Sequence, residues 1–319
     1  MELRKPQPRI RFRWKRIAWM LLILFVVLNI AIAMQAYKLT HFSDTKTEKS
    51  STDDNPIWLA LTGVDNPRPE NTTLPSHAYE TILLEGEIPT ECWSIKADSS
   101  IGTVVICHGY GGAKSSMLDK AEEFLALHYS VLLMDFRGCG GSPGNQCTIG
   151  YQESVQVKSC VDYLAQHGET EIILFGTSMG AVAIMKTLAE DQLPVAGAIL
   201  ECPFGSLYET TCARFRMMGV PSFPGAELMV FWGGIENGFW GFDHAPDEFA
   251  RNINVPVLLF YGEQDPKVSR AETDSIYARL PGPKNLLMFP EAGHENYLKK
   301  YRTEWLEAVQ QFLDQRNAD

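Results

Sequence analysis

The chain has 319 residues, 45% of them apolar and 21% charged, enough to build one large α/β domain or two small ones around a sizeable core. Of its 28 basic residues, seven precede Ile17 with a single acid, which leaves 21 basic against 38 acidic residues in the remainder. A body this acidic excludes a nucleic-acid binder, because neutralising phosphates requires a basic surface.

Residues 1–16 form a basic tip. Ile17 to Ala36 then runs for 20 residues without a charge, long enough to cross a bilayer as a helix. The excess of Lys and Arg before this run, against Lys38 and Lys46 after it, predicts a single-pass anchor with the tip in the cytoplasm and the body outside. The alternative is a signal peptide cleaved near Ala31-Ile32-Ala33 or Ala33–Ala36, which would release a secreted or periplasmic body. Residues 37–70 read as a polar stalk, with a helical turn expected at Pro56–Leu61. Asn71-Thr72-Thr73 fits the glycosylation sequon.

From residue 71 to the end the pattern is that of one domain. Eight strands are expected, at 79–84, 92–97, 103–107, 130–135, 172–175, 197–201, 257–261 and 286–289. The later ones are short continuous apolar runs, as befits parallel strands buried on both faces. Helical stripes lie between them, such as Val157, Cys160, Val161 and Leu164, or Leu298, Tyr301, Trp305, Val309 and Phe312. The alternation predicts a doubly wound, mostly parallel eight-stranded sheet. One interval is too long for a crossover. Residues 203–250 carry Phe204, Tyr208, Phe215, Phe223, Phe231, Trp232, Phe239, Trp240 and Phe242, which predicts an inserted cap, part roof over a site and part core of its own.

Seven cysteines form no C-x-x-C pair, and no metal site is suggested. Cys107, Cys160 and Cys202 read as small core residues; Cys139 with Cys147, or Cys202 with Cys212, could close short loops in an oxidising compartment.

The chemistry centres on Gly176-Thr177-Ser178-Met179-Gly180, which lies between the apolar run Ile172–Phe175 and the helix formers Ala181–Ala189. This is G-x-S-x-G in the strand–turn–helix context that lifts a serine hydroxyl above a sheet edge. A serine needs a base, and the base needs a third group to hold one tautomer. Asp265, in the turn after the strand 257–261, and His294, after the strand 286–289, supply them in the order Ser, Asp, His. Glu263 and Glu291 are rival acids and His244, inside the insertion, is a rival base. For an oxyanion, the expected donors are the amides of Met179 and Tyr110, the latter in His108-Gly109-Tyr110-Gly111-Gly112. Neither a G-x-G-x-x-G nor a phosphate-loop ending is present, so no nucleotide cofactor is expected.

These motifs, with Asp135-Phe-Arg-Gly-Cys-Gly-Gly-Ser142, Cys202-Pro-Phe-Gly-Ser-Leu207, Gly262-Glu-Gln-Asp265 and Ala292-Gly-His294, resemble the α/β-hydrolase superfamily, in its branch of serine aminopeptidases and monoacylglycerol-lipase-like enzymes. The resemblance covers residues 79–319 and implies that Asp135 and Arg137 shape a turn near the site. Histidine is frequent in that branch where this chain has Cys139. The expectation is a membrane-anchored serine hydrolase, without a cofactor, acting on small-molecule esters or lipids with apolar acyl groups. A peptidase, an acyltransferase or a non-catalytic lipid-binding module on the same fold are the alternatives.

Overall fold

The computed structural model describes residues 11–43 and 65–315. Pro56–Leu61, most of the basic tip and most of the stalk lie outside them. One eight-stranded sheet runs through the body, comprising β1 (Glu80–Leu84), β2 (Thr90–Ile95), β3 (Gly102–Cys107), β4 (Tyr129–Met134), β5 (Ile172–Thr177), β6 (Gly197–Glu201), β7 (Val257–Gly262) and β8 (Lys284–Phe289). Their order is β1-β2-β4-β3-β5-β6-β7-β8. The two pairings that involve β2 are antiparallel and the rest parallel. All eight expected strands are present, with ends moved by one or two residues.

Every residue of β3, β4, β6 and β7 is buried, which is why these strands read as unbroken apolar runs rather than alternating ones. Helices cover both faces. On one side lie α3 (Glu153–Gln166) and α4 (Met179–Glu190); on the other, α2 (Leu118–Ala126) and α10 (Arg302–Asp314). The second layer is centred on Trp305, fully buried against Phe124, Phe175 and Phe260, with its indole N–H donating to Glu201 Oε1 at 2.7 Å.

The insertion between β6 and β7 carries α5 (Leu207–Met217), α6 (Gly225–Glu236) and the short α7 (Pro246–Phe249). Its aromatics divide. Phe204 and Phe239 close around His244 together with Tyr151 of the body, whereas Phe223 is 76% exposed and Met217, Met218 and Val220 also face outward. The expected roof is therefore only part of the story; several of its apolar side chains point away from the body.

The N-terminal helix α1 (Arg11–Thr40) outruns the expected span 17–36 at both ends. Its stretch Trp14–Thr40 is long and apolar enough to cross a membrane. From Trp14 to Leu28 it stands clear of the body; beyond that, Ala31, Ile32 and Ala36 are buried where α1 packs along α6. Trp232 Nε1 donates to Asn29 Oδ1 at 3.2 Å, and Ala36 faces Gly233.

The stalk expectation needs correction at its two described ends. Residues 40–43 and 65–70 are stitched to the loop after β4: Cys147 N donates to Thr40 O, Phe42 N to Asn145 O, and Gly140 N to Pro69 O, at 2.7–2.8 Å. Phe42 joins the core, and the Arg68 guanidinium caps the Gly140, Ser142 and Gly144 carbonyls. Polar composition suggested solvent, but these groups satisfy the backbone of a partly buried loop. The sequon expectation fares similarly. Asn71 Nδ2 donates to Asp135 Oδ2 at 2.8 Å and its Oδ1 accepts from Ser115 N, so the side chain is engaged in the fold. Neither suggested disulfide forms. All seven cysteines are buried free thiols, and Cys147 Sγ instead lies 3.4 Å from Met179 Sδ.

Trp305→Ala should cost about 3–5 kcal/mol, the usual penalty for emptying a large aromatic site. It also leaves Glu201 short of a donor. Urea unfolding of the full chain in detergent measures it.

Candidate active site

Ser178 sits between β5 and α4 at φ 53°, ψ −113°, a left-handed backbone that costs on the order of 1–3 kcal/mol for a non-glycine residue. The neighbouring glycines make this possible. A methyl on Gly176 would come within 2.6 Å of Ala181 N, and one on Gly180 within 2.4 Å of Cys107 O. Strand, turn and helix therefore touch backbone to backbone, and the turn is pinned further by Ser178 N donating to Glu201 O at 2.7 Å.

The three sequence-predicted groups come together. Ser178 Oγ lies 3.0 Å from His294 Nε2, and His294 Nδ1 lies 2.7 Å from Asp265 Oδ2. Asp265 follows β7 and His294 follows β8, so both project from the same end of the sheet as Ser178. The carboxylate is fully buried, and its other oxygen accepts from the amides of Lys267 and Val268 at 2.8 and 3.1 Å, which fixes its rotamer. With the carboxylate on Nδ1, that nitrogen carries the proton of the neutral ring, and only in that neutral form is Nε2 left to accept from the serine. Burial pulls the His294 pKa down, but the Cys202 sulfur and the hydrogen bond and charge of Asp265 outweigh it, and the balance raises the imidazole to about 10. Cys202 Sγ, an Asp265 oxygen and a His294 nitrogen lie within 4.8 Å of one another, yet both ring nitrogens already face Asp265 and Ser178.

The rivals are elsewhere. Glu263 pairs with Arg270 at 3.6 Å and Glu291 is exposed. His244 is fully buried, donates through Nε2 to Ile149 O, and is pulled down to about 4 by burial, so it stays neutral as a packing residue. His108 is likewise structural. Its Nδ1 donates to Gly109 O at 2.8 Å and its Nε2 accepts from Phe136 N at 3.1 Å, shaping the loop that carries Tyr110.

Beside His294 opens a cleft of about 300 Å³ lined by Gly109–Gly112, Thr177, Cys202 and Lys120 among others. Met179 begins α4, whose first-turn amides point toward the serine side of the turn. Tyr110 lies in the cleft wall, and its hydroxyl donates to Leu39 O at 2.6 Å while accepting from Asn66 Nδ2. The last turn of α1 is thus bonded to the loop that carries one of the expected oxyanion donors.

Sequence reasoning missed two supports. Glu201 closes an otherwise apolar strand, and its carboxylate binds Thr177 Oγ1 at 2.9 Å, Trp305 Nε1 and, at 3.5 Å, Lys120 Nζ. A lone acid ending a buried strand was the available signal. The second is Lys114, buried between Asp135 and Glu91, where Asp135 also takes the amides of Lys114 and Gly141. A lysine in a loop gave no hint of that.

The serine aminopeptidase (S33) family model matches residues 98–222. A Pyrococcus furiosus esterase, Pf2001, superposes at TM-score 0.67 with 25% identity, over 79% of this chain and 97% of that one. This chain is a hydrolase of the α/β superfamily. Among curated relatives, the uncharacterized Bacillus subtilis protein YqkD is 28% identical over 67% of this chain and 72% of its own length. The lysophosphatidylserine lipase ABHD12 of Macaca fascicularis is 27% identical over 53% of this chain and 43% of its own.

If Cys202 and Asp265 hold His294 up, Cys202→Ala should lower its titration midpoint, and Asp265→Asn should lower it too. NMR titration of the imidazole in full-length protein reads both. An unchanged midpoint in Cys202→Ala would leave Asp265 as the sole cause.

Proposed function

We propose that the protein is a serine hydrolase of carboxylic esters with apolar acyl groups, working through an acyl-enzyme. The observation that carries this reading is the Ser178–His294–Asp265 hydrogen-bond chain at a strained strand-to-helix turn. Ser178 Oγ attacks the ester carbonyl as His294 Nε2 takes its proton; Asp265 holds the ring and stabilises the imidazolium. The carbonyl oxygen, now an oxyanion, is received by the amides of Tyr110 and Met179. His294 returns the proton to the departing alcohol, and water then releases the acid by the same steps in reverse order.

Ester chemistry is favoured over peptide cleavage by the apolar insertion and by relatives such as Pf2001, called an esterase, and ABHD12, called a lysophosphatidylserine lipase. The apolar helix supports an anchor that holds the site near lipid, with the basic tip in the cytoplasm and the body outside. Its packing on α6 and its bond to Tyr110 favour a helix retained in the working protein over a cleaved leader.

A fluorophosphonate probe should label the full chain in detergent, and Ser178→Ala should abolish labelling together with hydrolysis of p-nitrophenyl esters, on the order of 10⁶-fold in kcat. Asp265→Asn should cost about 10⁴-fold. Because His294 must be neutral to accept the proton, and its pKa is raised, kcat/KM should climb with pH into the alkaline range. A folded chain that neither labels nor turns over would sink the reading.

A further inference from the structure

The length of α1 does not fit a bilayer unless the cap goes in with it. Lys15 and Arg16 bound the apolar stretch on one side. From Ile17 to Leu28, the part of α1 that stands clear of the body, the helix rises about 18 Å at 1.5 Å per residue. A hydrocarbon core is about 30 Å thick and needs about 20 residues, which carries the span to Ala36. The missing depth must therefore come from the stretch Asn29–Ala36, and that stretch is packed on α6.

The two helices run in the same direction. Asn29 meets Trp232, Ala36 faces Gly233, and beyond the end of α1 Gln146, paired with His41, binds Asn237 at 2.6 Å. The start of α6 and the turn before it thus lie toward the lipid end of α1. Gly225 is about 18 Å along α6 from Asn237, and Asn29 roughly 16 Å along α1 from Thr40, so the α5–α6 turn stands level with the last clear residues of α1. What this turn presents is Met217, Met218, Val220 and Phe223, exposed by 53%, 65%, 46% and 76%. Residues 210–226 contain no acid and two arginines, Arg214 and Arg216, in a body that is strongly acidic elsewhere. An exposed apolar turn with the Arg216 cation beside it and no carboxylate in it matches the edge of an anionic lipid surface.

We propose that the α5–α6 turn and the start of α6 form a bilayer-docking surface, inserted beside α1 on the non-cytoplasmic side, with Arg216 at the headgroups, whereas Arg214 turns back onto Thr210. The proposal rests on α1 crossing the bilayer. It makes the cap an interfacial element, so that an ester substrate would reach the site from the membrane edge.

The test uses the full chain in phosphatidylethanolamine–phosphatidylglycerol nanodiscs. Its native cysteines are all buried, so a bimane label directs itself to an introduced thiol. Leu24→Cys in α1, Met218→Cys and Phe223→Cys in the turn, and Ile101→Cys at the opposite end of the sheet are each labelled. Lipids bearing a nitroxide near the glycerol end of the acyl chain quench a label at the depth of the turn, and lipids bearing it near the chain terminus quench the label at 24, about 10 Å into the core from Ile17. Labels at 218 and 223 should be quenched severalfold more than the label at 101. Quenching at 24 with 218 and 223 no different from 101 overturns the docking surface while leaving the anchor standing. A blue-shifted, unquenched label at 223 also overturns it and assigns the patch to a second copy or another protein. No quenching at 24 removes the anchor and the proposal together, and leaves the serine hydrolase reading to the fluorophosphonate result. Met218→Asp with Phe223→Asp supplies an independent readout: hydrolysis of soluble p-nitrophenyl acetate unchanged, hydrolysis of a vesicle-embedded ester several times slower. Equal slowing of both, or of neither, counts against the surface.

Discussion

A serine held at positive φ between a strand and a helix is the constraint on which the rest of the body depends. The conformation is unfavourable by itself and persists only because its surroundings leave no alternative. Gly180 abuts the end of β3, Gly176 abuts the start of α4, and the Ser178 amide is tied to β6. Two neighbouring strands and the following helix thus bear on one residue. The carboxylate of Glu201 extends this support to Thr177, and through Trp305 to the aromatic layer under the sheet. Packing far from the serine therefore bears on its geometry.

The same end of the sheet collects the other groups because parallel strands deliver all their C-terminal turns to one edge. Asp265 and His294 come from adjacent strands and face the serine without any adjustment in the loops between. Across the cleft, His108 and the Lys114–Asp135 pair hold the Tyr110 loop. Buried charges of this kind are weak evidence of net stability but strong determinants of a single arrangement, since removing one partner strands the other. Here each carboxylate oxygen of Asp135 has at least one donor.

What sets this chain apart from a bare hydrolase domain is the way its N-terminal helix is built into it. Asn29 and Trp232 join helix to cap, and Leu39 and Tyr110 join helix to the cleft wall. The apolar helix, the cap and the loop carrying an expected oxyanion donor form one connected unit, rather than a domain on a tether. That arrangement also accounts for the short strip 40–43 being ordered against the loop after β4, where composition pointed to a stalk.

Local rules sufficed for much of this. Continuous apolar runs located eight strands, since burial on both faces leaves no other pattern, and the G-x-S-x-G turn with an acid and a histidine after later strands marked the three groups that meet. The chain order and spacing of those motifs carry that information because parallel strands fix where their ends go. Other features were decided only in three dimensions. Glu201, Lys114 and Asn71 are polar residues whose partners lie far along the chain, and no local pattern encodes a hydrogen bond across 64 or 104 residues. The division of the cap into an inner aromatic cluster and an outward apolar turn was equally hidden, because aromatic composition is the same on either side of a helix. Length and hydropathy determined that α1 could span a membrane; its packing on α6 came only from the tertiary structure, because contacts between helices some 200 residues apart leave no local pattern.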